Sequence, residues 1–206
     1  MPPITMIYLA SRSPRRRELL AQIGVKFEPL LFREGPRQDA DTDEAVRPDE
    51  QPDEYVRRVT RLKAEAAWQR IVMRRGLHRQ PVLAADTTVA LGGEILGKPV
   101  DRDDAERILN LLSGTQHRVM TAVSIAFEER FEIAVSNSLV TFATLDPSRI
   151  SAYVQSGEPF DKAGAYGIQG RAGAFIERIE GSYSGVMGLP LYETAELLRK
   201  FGIVVP

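Results

Sequence analysis

The stretch Val82-Leu83-Ala84-Ala85-Asp86-Thr87-Thr88-Val89-Ala90-Leu91-Gly92-Gly93-Glu94-Ile95-Leu96-Gly97-Lys98 decides the reading of the fold. Pro81 to Leu91 reads as a strand, apolar apart from Asp86-Thr87-Thr88. Gly92-Gly93 is a tight-turn signal, and Glu94 to Lys98 returns as the second arm of a hairpin. Asp86 is out of place in such a strand. A carboxylate there is paired, metal-bound, perturbed in pKa, or bonded to backbone amides at a strand end. The first three make it a functional candidate.

Outward from this hairpin, helices and strands alternate. Ile4 to Ala10 reads as a buried strand, and Ser13-Pro14 as the N-cap and first position of a helix that runs to Ile23 and stops at Gly24. Val25 to Phe32 is a second strand. Residues 34 to 54 are rich in Asp, Glu and Pro and read as a long exposed loop. A helix follows from about Asp53 to Arg75. Beyond the hairpin, Asp101 caps a helix that ends near Gly114. Val119 to Phe127 alternates, with Val119, Thr121, Val123, Ile125 and Phe127 on one side, and pairs with Phe131 to Ala143 across Glu128-Glu129-Arg130. Asp146-Pro147 opens a helix to about Gln155. A Gly-rich stretch holds Gly164, Gly167, Gly170 and Gly173. Ala174 to Ile179 reads as a strand, and Leu191 to Phe201 as the last helix. The expectation is an α/β protein with a mixed sheet, one domain over residues 1–206.

Composition narrows the function. The 206 residues are 43% hydrophobic and 27% charged, with 27 basic against 28 acidic side chains and a formal net charge of −1. A soluble globule is expected, able to bury roughly 70% of its unfolded surface without a disulfide or metal staple. No overall field favours a nucleic-acid polymer or an anionic membrane. With no cysteine and only His78 and His117, thiol nucleophiles, zinc ribbons and His-rich metal sites are excluded. No uncharged apolar run reaches about 18 residues, so no membrane span is expected. No basic segment precedes an apolar leader, so a cytoplasmic protein is expected.

Several residues can carry chemistry. Arg15-Arg16-Arg17 fall in the first turn of a helix, where free amides already create positive potential, so an anion is the natural partner. Ser11 and Ser13 add hydroxyls, which makes a phosphate site at a strand-to-helix turn; a solvated basic turn is the competing reading. Lys63 follows Val56 and Val59 at helical spacing and shares their inward stripe, where it meets an anion or snorkels out. Lys98 falls opposite Thr87, away from Asp86, in an ideal two-residue hairpin, and a bulge reverses that. Asp41, Asp43 and Glu44 offer a second acid to a hard divalent cation alongside Asp86, although acidic loops are usually just solvated. Gln169 has an amide able to donate and accept at a base edge. His117 reads as structural, and Trp68 and Tyr55 as packing residues. With no nucleophile beside a histidine, the set favours metal-assisted attack by water over covalent catalysis.

These segments resemble the Maf family, also called septum formation inhibitor proteins, over nearly the whole chain. Leu9-Ala10-Ser11-Arg12-Ser13-Pro14-Arg15-Arg16-Arg17-Glu18-Leu19-Leu20 is similar to its opening LASxSPRRxELL motif. Leu83 to Val89 is similar to its central ADT motif. Gly97-Lys98-Pro99, Leu112 to His117, Asp161 to Gly170 and Gly188-Leu189-Pro190 follow in the family order. The resemblance implies an elongated mixed sheet flanked by helices, two lobes around a cleft as in Maf and inosine triphosphatase folds, with homodimers frequent. It implies a nucleoside triphosphate pyrophosphatase that uses Mg²⁺ or Mn²⁺, with Asp86 as proton acceptor or metal holder and Glu44 as the acid on the metal side. Ser11, Arg15, Arg16, Lys63 and Lys98 would hold the triphosphate, and Arg15, Thr87 and Gln169 would shape base selection. The KAGAYGIQG form with Arg15 and Thr87 is similar to the branch acting on dTTP and UTP, and an influence on cell division is implied. The alternatives are the 7-methyl-GTP branch, or a non-catalytic nucleotide-binding regulator of septum formation.

Overall fold

A computed structural model describes residues 4–30 and 43–205. Its elements in chain order are β1 (Ile7–Leu9), α1 (Pro14–Gln22), β2 (Phe27–Pro29), α2 (Pro52–Met73), β3 (Val82–Leu91), β4 (Glu94–Leu96), α3 (Arg102–Leu112), β5 (Gln116–Phe127), β6 (Arg130–Phe142), α4 (Pro147–Gln155), β7 (Ile176–Glu180), α5 (Tyr183–Met187) and α6 (Leu191–Lys200). Three short 3-10 turns, over Glu158–Asp161, Ala163–Ala165 and Arg171–Phe175, fill the Gly-rich stretch. All seven strands join one mixed sheet in the order β2-β1-β3-β5-β6-β7, with β4 also on β3.

The sequence expectations hold for α1, β3, α3, α4 and α6 to within a residue or two. Strands β1 and β2 are shorter than the apolar runs that contain them, because a strand extends only as far as it has a partner. β1 pairs with β2 from Ile7 to Leu9 and with β3 only at Tyr8 and Leu9. Leu31 and Phe32, read as the end of β2, and Asp41 lie outside the described residues. β4 stops at Leu96, so Lys98 lies past the strand and the hairpin register does not govern its direction. α5 has no counterpart in the sequence reading.

The middle of the sheet is β3, and its periodicity organises the core. Odd positions Leu83 and Ala85 pack with Val123, Ile125 and residues of α1 and α6. Further along the same face, Val89 packs with Val119 and residues of α3 and α4. Even positions Val82 and Ala84 pack with Ala64, Ala67 and Ile71 of α2. Ala90 packs with Val56, Met120 and Ala122. On both faces, then, one apolar cluster ends and another begins around Asp86-Thr87. The polar pair sits at the seam between cores, where a polar side chain can reach solvent without opening either one.

The two neighbours of β3 leave the same seam open at its edge. β5 covers one edge from Val82 to Ala90. The other is shared by β1, which ends opposite Leu83, and β4, whose last residue, Leu96, lies opposite Val89. Between them the edge of β3 at Asp86 and Thr87 has no strand beside it among the described residues. Strands that diverge in this way leave a crevice at their ends, the usual place for a ligand in an open α/β sheet.

Candidate active site

A cleft of about 620 Å³ fills that crevice. Ser11, Arg15, Arg16, Glu44, Lys63, Asp86, Thr87, Lys98 and Gln169 all line it, and so does Ser13, whereas Arg17 and Asp43, also weighed from the sequence, do not.

On the α2 face of β3, Lys63 Nζ lies 2.7 Å from Asp86 Oδ1 and 3.0 Å from Glu44 Oε1. The inward stripe of α2 accounts for this. Val56, Val59, Thr60, Ala64, Ala67 and Ile71 are buried, and Lys63 falls within the same arc. Burial presses the ammonium toward neutrality, but the attraction of Asp86 and then Glu44 outweighs it, and the Lys63 pKa is raised. Glu44 is held in turn by Tyr55, whose hydroxyl donates to the Glu44 carbonyl at 3.0 Å. Tyr55 also lines the cleft, which corrects the expectation of a packing role. Burial first, then the charges of Asp86 and Glu44, push its phenol up to about 12.

On the opposite face, Arg16 is the organising group. Its Nε donates to the Gly188 carbonyl at 2.7 Å, Nη1 to Ser11 Oγ at 3.3 Å and Nη2 to Thr87 Oγ1 at 3.2 Å. Thr87 Oγ1 is 3.0 Å from Thr121 Oγ1, which donates to the Gly185 carbonyl at 2.7 Å. Burial lowers the Arg16 pKa, with Asp86 pulling the other way; a guanidinium remains charged at neutral pH regardless. Ser13 stands at the N-cap of α1, yet its side chain caps nothing; its N–H donates to Ser11 Oγ at 3.2 Å. The first-turn amides of α1 therefore have no side-chain cap competing with an anion.

The third wall is the Gly-rich stretch. Gly164 has φ +70°, and a Cβ there would lie 2.9 Å from Val89 Cγ1, so only glycine fits. Its N–H donates to the Gly97 carbonyl at 3.0 Å, which ties the end of the β3–β4 hairpin to this stretch and brings Lys98 to the rim. Arg15 reaches across the mouth to Asp161 Oδ2 at 3.6 Å. Lys162 and Arg70 also line the cleft and escaped the sequence reading. Arg70 follows Lys63 by seven residues, and that helical spacing was the available signal. His117 is buried as expected, with Nε2 2.8 Å from the Tyr166 hydroxyl, and burial pushes its pKa down to about 4.

The donor set suits a hard divalent cation. Asp86 and Glu44 converge on one point charge, the Lys63 ammonium, from separate segments. No cluster of three His, Cys, Asp or Glu occurs among the described residues. Two carboxylates with phosphate oxygens and waters completing the shell is the pattern Mg²⁺ favours in nucleotide sites. The cleft as a whole pairs an acidic point with a cationic rim, an arrangement whose chemistry suits a polyphosphate and an attacking water.

Residues 6–201 match the family described as Maf-like protein. The dTTP/UTP pyrophosphatase of Cupriavidus metallidurans is 59% identical over 199 residues, covering 97% of this chain and 98% of that protein. The dTTP/UTP pyrophosphatase of Dechloromonas aromatica is 56% identical over 196 residues, covering 95% and 97%. Among solved structures, the Ham1 protein of Staphylococcus aureus superposes with a TM-score of 0.45 at 19% identity, over 67% of this chain and 72% of its own. No helix among the described residues is long and apolar enough to cross a membrane.

Proposed function

The chain belongs to the Maf-like family, and from that premise we propose that it hydrolyses dTTP and UTP to the nucleoside monophosphate and pyrophosphate. The observation that carries this reading is the convergence of Asp86, Glu44 and Lys63 beside the Arg16 network in one cleft. The activity named for relatives more than half identical supports the choice of substrates.

In this reading Arg15, Arg16, Lys98 and the first-turn amides of α1 hold the triphosphate. Arg16 has N–H groups left over after its bonds to Gly188, Ser11 and Thr87, and these bonds fix the plane in which it offers them. Water attacks the α-phosphorus. Its oxygen forms the new P–O bond, the bond from the α-phosphorus to the bridging oxygen breaks, and pyrophosphate leaves with the electron pair. Lys63 engages Asp86 Oδ1 at 2.7 Å and fixes the orientation of the carboxylate, which leaves Oδ2 to take the proton from the water. Asp86 and Glu44 would hold a Mg²⁺ or Mn²⁺ ion, which supplies neutralisation of the phosphate charge. Uracil and thymine present an N–H beside a carbonyl, and the Gln169 amide at the rim can pair with both; cytosine offers the reverse polarity. Thr87 contributes through Arg16, since its hydroxyl is already engaged by Arg16 and Thr121.

The test is pyrophosphate release from a panel of nucleoside triphosphates, with Mg²⁺ or Mn²⁺ and with chelator. Turnover of dTTP and UTP well above CTP, purines and 7-methyl-GTP, abolished by chelator, is expected. Preference for 7-methyl-GTP would place the chain in the sister branch. Binding without release from any nucleotide would favour a regulatory protein.

A further inference from the structure

Gln169 sits in a tight turn, closed by the Gly170 N–H donating to the Gly167 carbonyl at 3.0 Å. Around it the backbone passes from Tyr166 to Arg171 between two 3-10 turns. What ties this turn to the rest of the fold on both sides of Gln169 is a carboxylate that does not line the cleft. Glu158 Oε2 accepts from the Arg171 N–H at 3.1 Å, on the far side of Gln169. Glu158 Oε1 accepts from the Tyr153 hydroxyl at 3.0 Å, and the same hydroxyl lies 3.4 Å from the Gly167 N–H that donates to it. One side chain therefore grips the loop on both sides of Gln169, directly after it and through Tyr153 before it.

The fit between this carboxylate and the loop leaves no room. A Cβ at Gly170 would lie 2.1 Å from Glu158 Oε1 and 2.8 Å from Oε2. The backbone of Gly170, φ −104° and ψ −154°, is open to ordinary residues, so the absence of a side chain here answers to the carboxylate and not to the dihedrals. The glutamate also supports the neighbouring cleft residue, since its main-chain carbonyl accepts from Lys162 Nζ at 2.6 Å. The aliphatic part of Lys162 lies beneath Gly167, where a Cβ would come within 2.7 Å of Cε.

We propose that Glu158 is a positioning residue for base selection: its carboxylate, clamped between Tyr153 and Arg171 against the bare α-carbon of Gly170, fixes the loop that presents the Gln169 amide to the pyrimidine. The proposal rests on Gln169 reading the base. A side chain outside the cleft thereby controls the ratio of substrates and acts on the triphosphate chemistry only through the loop.

The experiment measures kcat/KM for UTP and for CTP on the wild type, Gln169→Ala, Glu158→Ala, Gly170→Ala, Tyr153→Phe and the Glu158→Ala/Gly170→Ala double variant. The ratio of UTP to CTP is the readout, because a general loss of folded protein lowers both substrates together. Gln169→Ala is expected to lower the ratio, and Glu158→Ala and Gly170→Ala each to lower it about tenfold, the scale of one well-placed hydrogen bond. The double variant is expected to match either single one, since the methyl that Gly170→Ala introduces acts by expelling a carboxylate that Glu158→Ala has already removed. Tyr153→Phe, which deletes the hydroxyl that links Glu158 to Gly167 and leaves the Glu158 bond to Arg171, gives a smaller drop and serves as the test if Glu158→Ala does not fold. A lowered ratio in Gln169→Ala with unchanged ratios in Glu158→Ala and Gly170→Ala overturns the role of Glu158 and leaves the reading of Gln169 standing. An unchanged ratio in Gln169→Ala overturns both. Effects that multiply in the double variant overturn the shared carboxylate.

Discussion

Lys63 Nζ lies 2.7 Å from Asp86 Oδ1, and the same ammonium reaches Glu44 Oε1 at 3.0 Å. One cation from α2 serves a carboxylate in the middle of β3 and another from the loop before α2. Removing it leaves two carboxylates in a partly buried site without the cation that holds them in place. Lys63→Met is expected to lower kcat/KM for UTP about tenfold or more, the scale of a lost charge-assisted hydrogen bond. An unchanged kcat/KM in Lys63→Met would mean that the ammonium does not position Asp86.

Thr121 sets the direction of the chain behind Arg16. Its single hydroxyl proton goes to the Gly185 carbonyl. Thr87 must therefore donate to Thr121 and accept from Arg16. Thr121→Val removes the end of this chain from a site only 1% exposed. It is expected to cost roughly 1 kcal/mol in urea unfolding and to raise KM for UTP, while Thr121→Ser restores both. An unchanged KM in Thr121→Val would separate Arg16 from its support.

Much of this site is legible in the sequence. Asp86 stands out because an acid in an apolar strand needs a reason, and Lys63 because helical spacing turns it inward. Ser11, Arg15 and Arg16 are carried by the strand-to-helix turn. Other features depend on pairing or on distant contacts. The direction of Lys98 follows from the bond between Gly164 and Gly97, residues far apart in the chain. Tyr55 looks like any aromatic on an amphipathic helix until the Glu44 carbonyl is placed beside it. α5 is five residues long and includes Gly185, so propensity argues against it. It forms because Ser182 Oγ accepts from the Gly185 N–H at 3.0 Å and because β5 packs beneath it.

Tyr55 offers a milder perturbation of the same acid pair. Tyr55→Phe deletes the bond to the Glu44 carbonyl and leaves the ring. If Glu44 shares in holding the cation, the Mg²⁺ concentration for half-maximal turnover rises, up to about tenfold for a supporting contact of this kind. A metal titration of the two proteins with UTP checks this. Superimposable curves would remove Glu44 from the cation site.

His117 ties acid stability to the cleft wall. Its pKa is pushed down to about 4 by burial, while the unfolded ring titrates near the ordinary value of 6.5. As pH falls below that ordinary value the unfolded chain takes a proton that the folded chain refuses, so stability declines. The decline between pH 7 and pH 5 is expected to reach roughly 2 kcal/mol. Urea midpoints across that range should slope for the wild type and flatten for His117→Gln. Parallel slopes would show that the ring does not drive the change.

The most direct test of the account is hydrolysis of UTP in oxygen-18 water, with products and label read by phosphorus NMR and mass spectrometry. Attack by water on the α-phosphorus, with Asp86 taking its proton, predicts UMP and pyrophosphate as the products, with the heavy oxygen in UMP alone. Asp86→Asn should remove most of that turnover while the protein stays folded. Label in pyrophosphate, or UDP and phosphate as products, would contradict the proposed chemistry at Asp86.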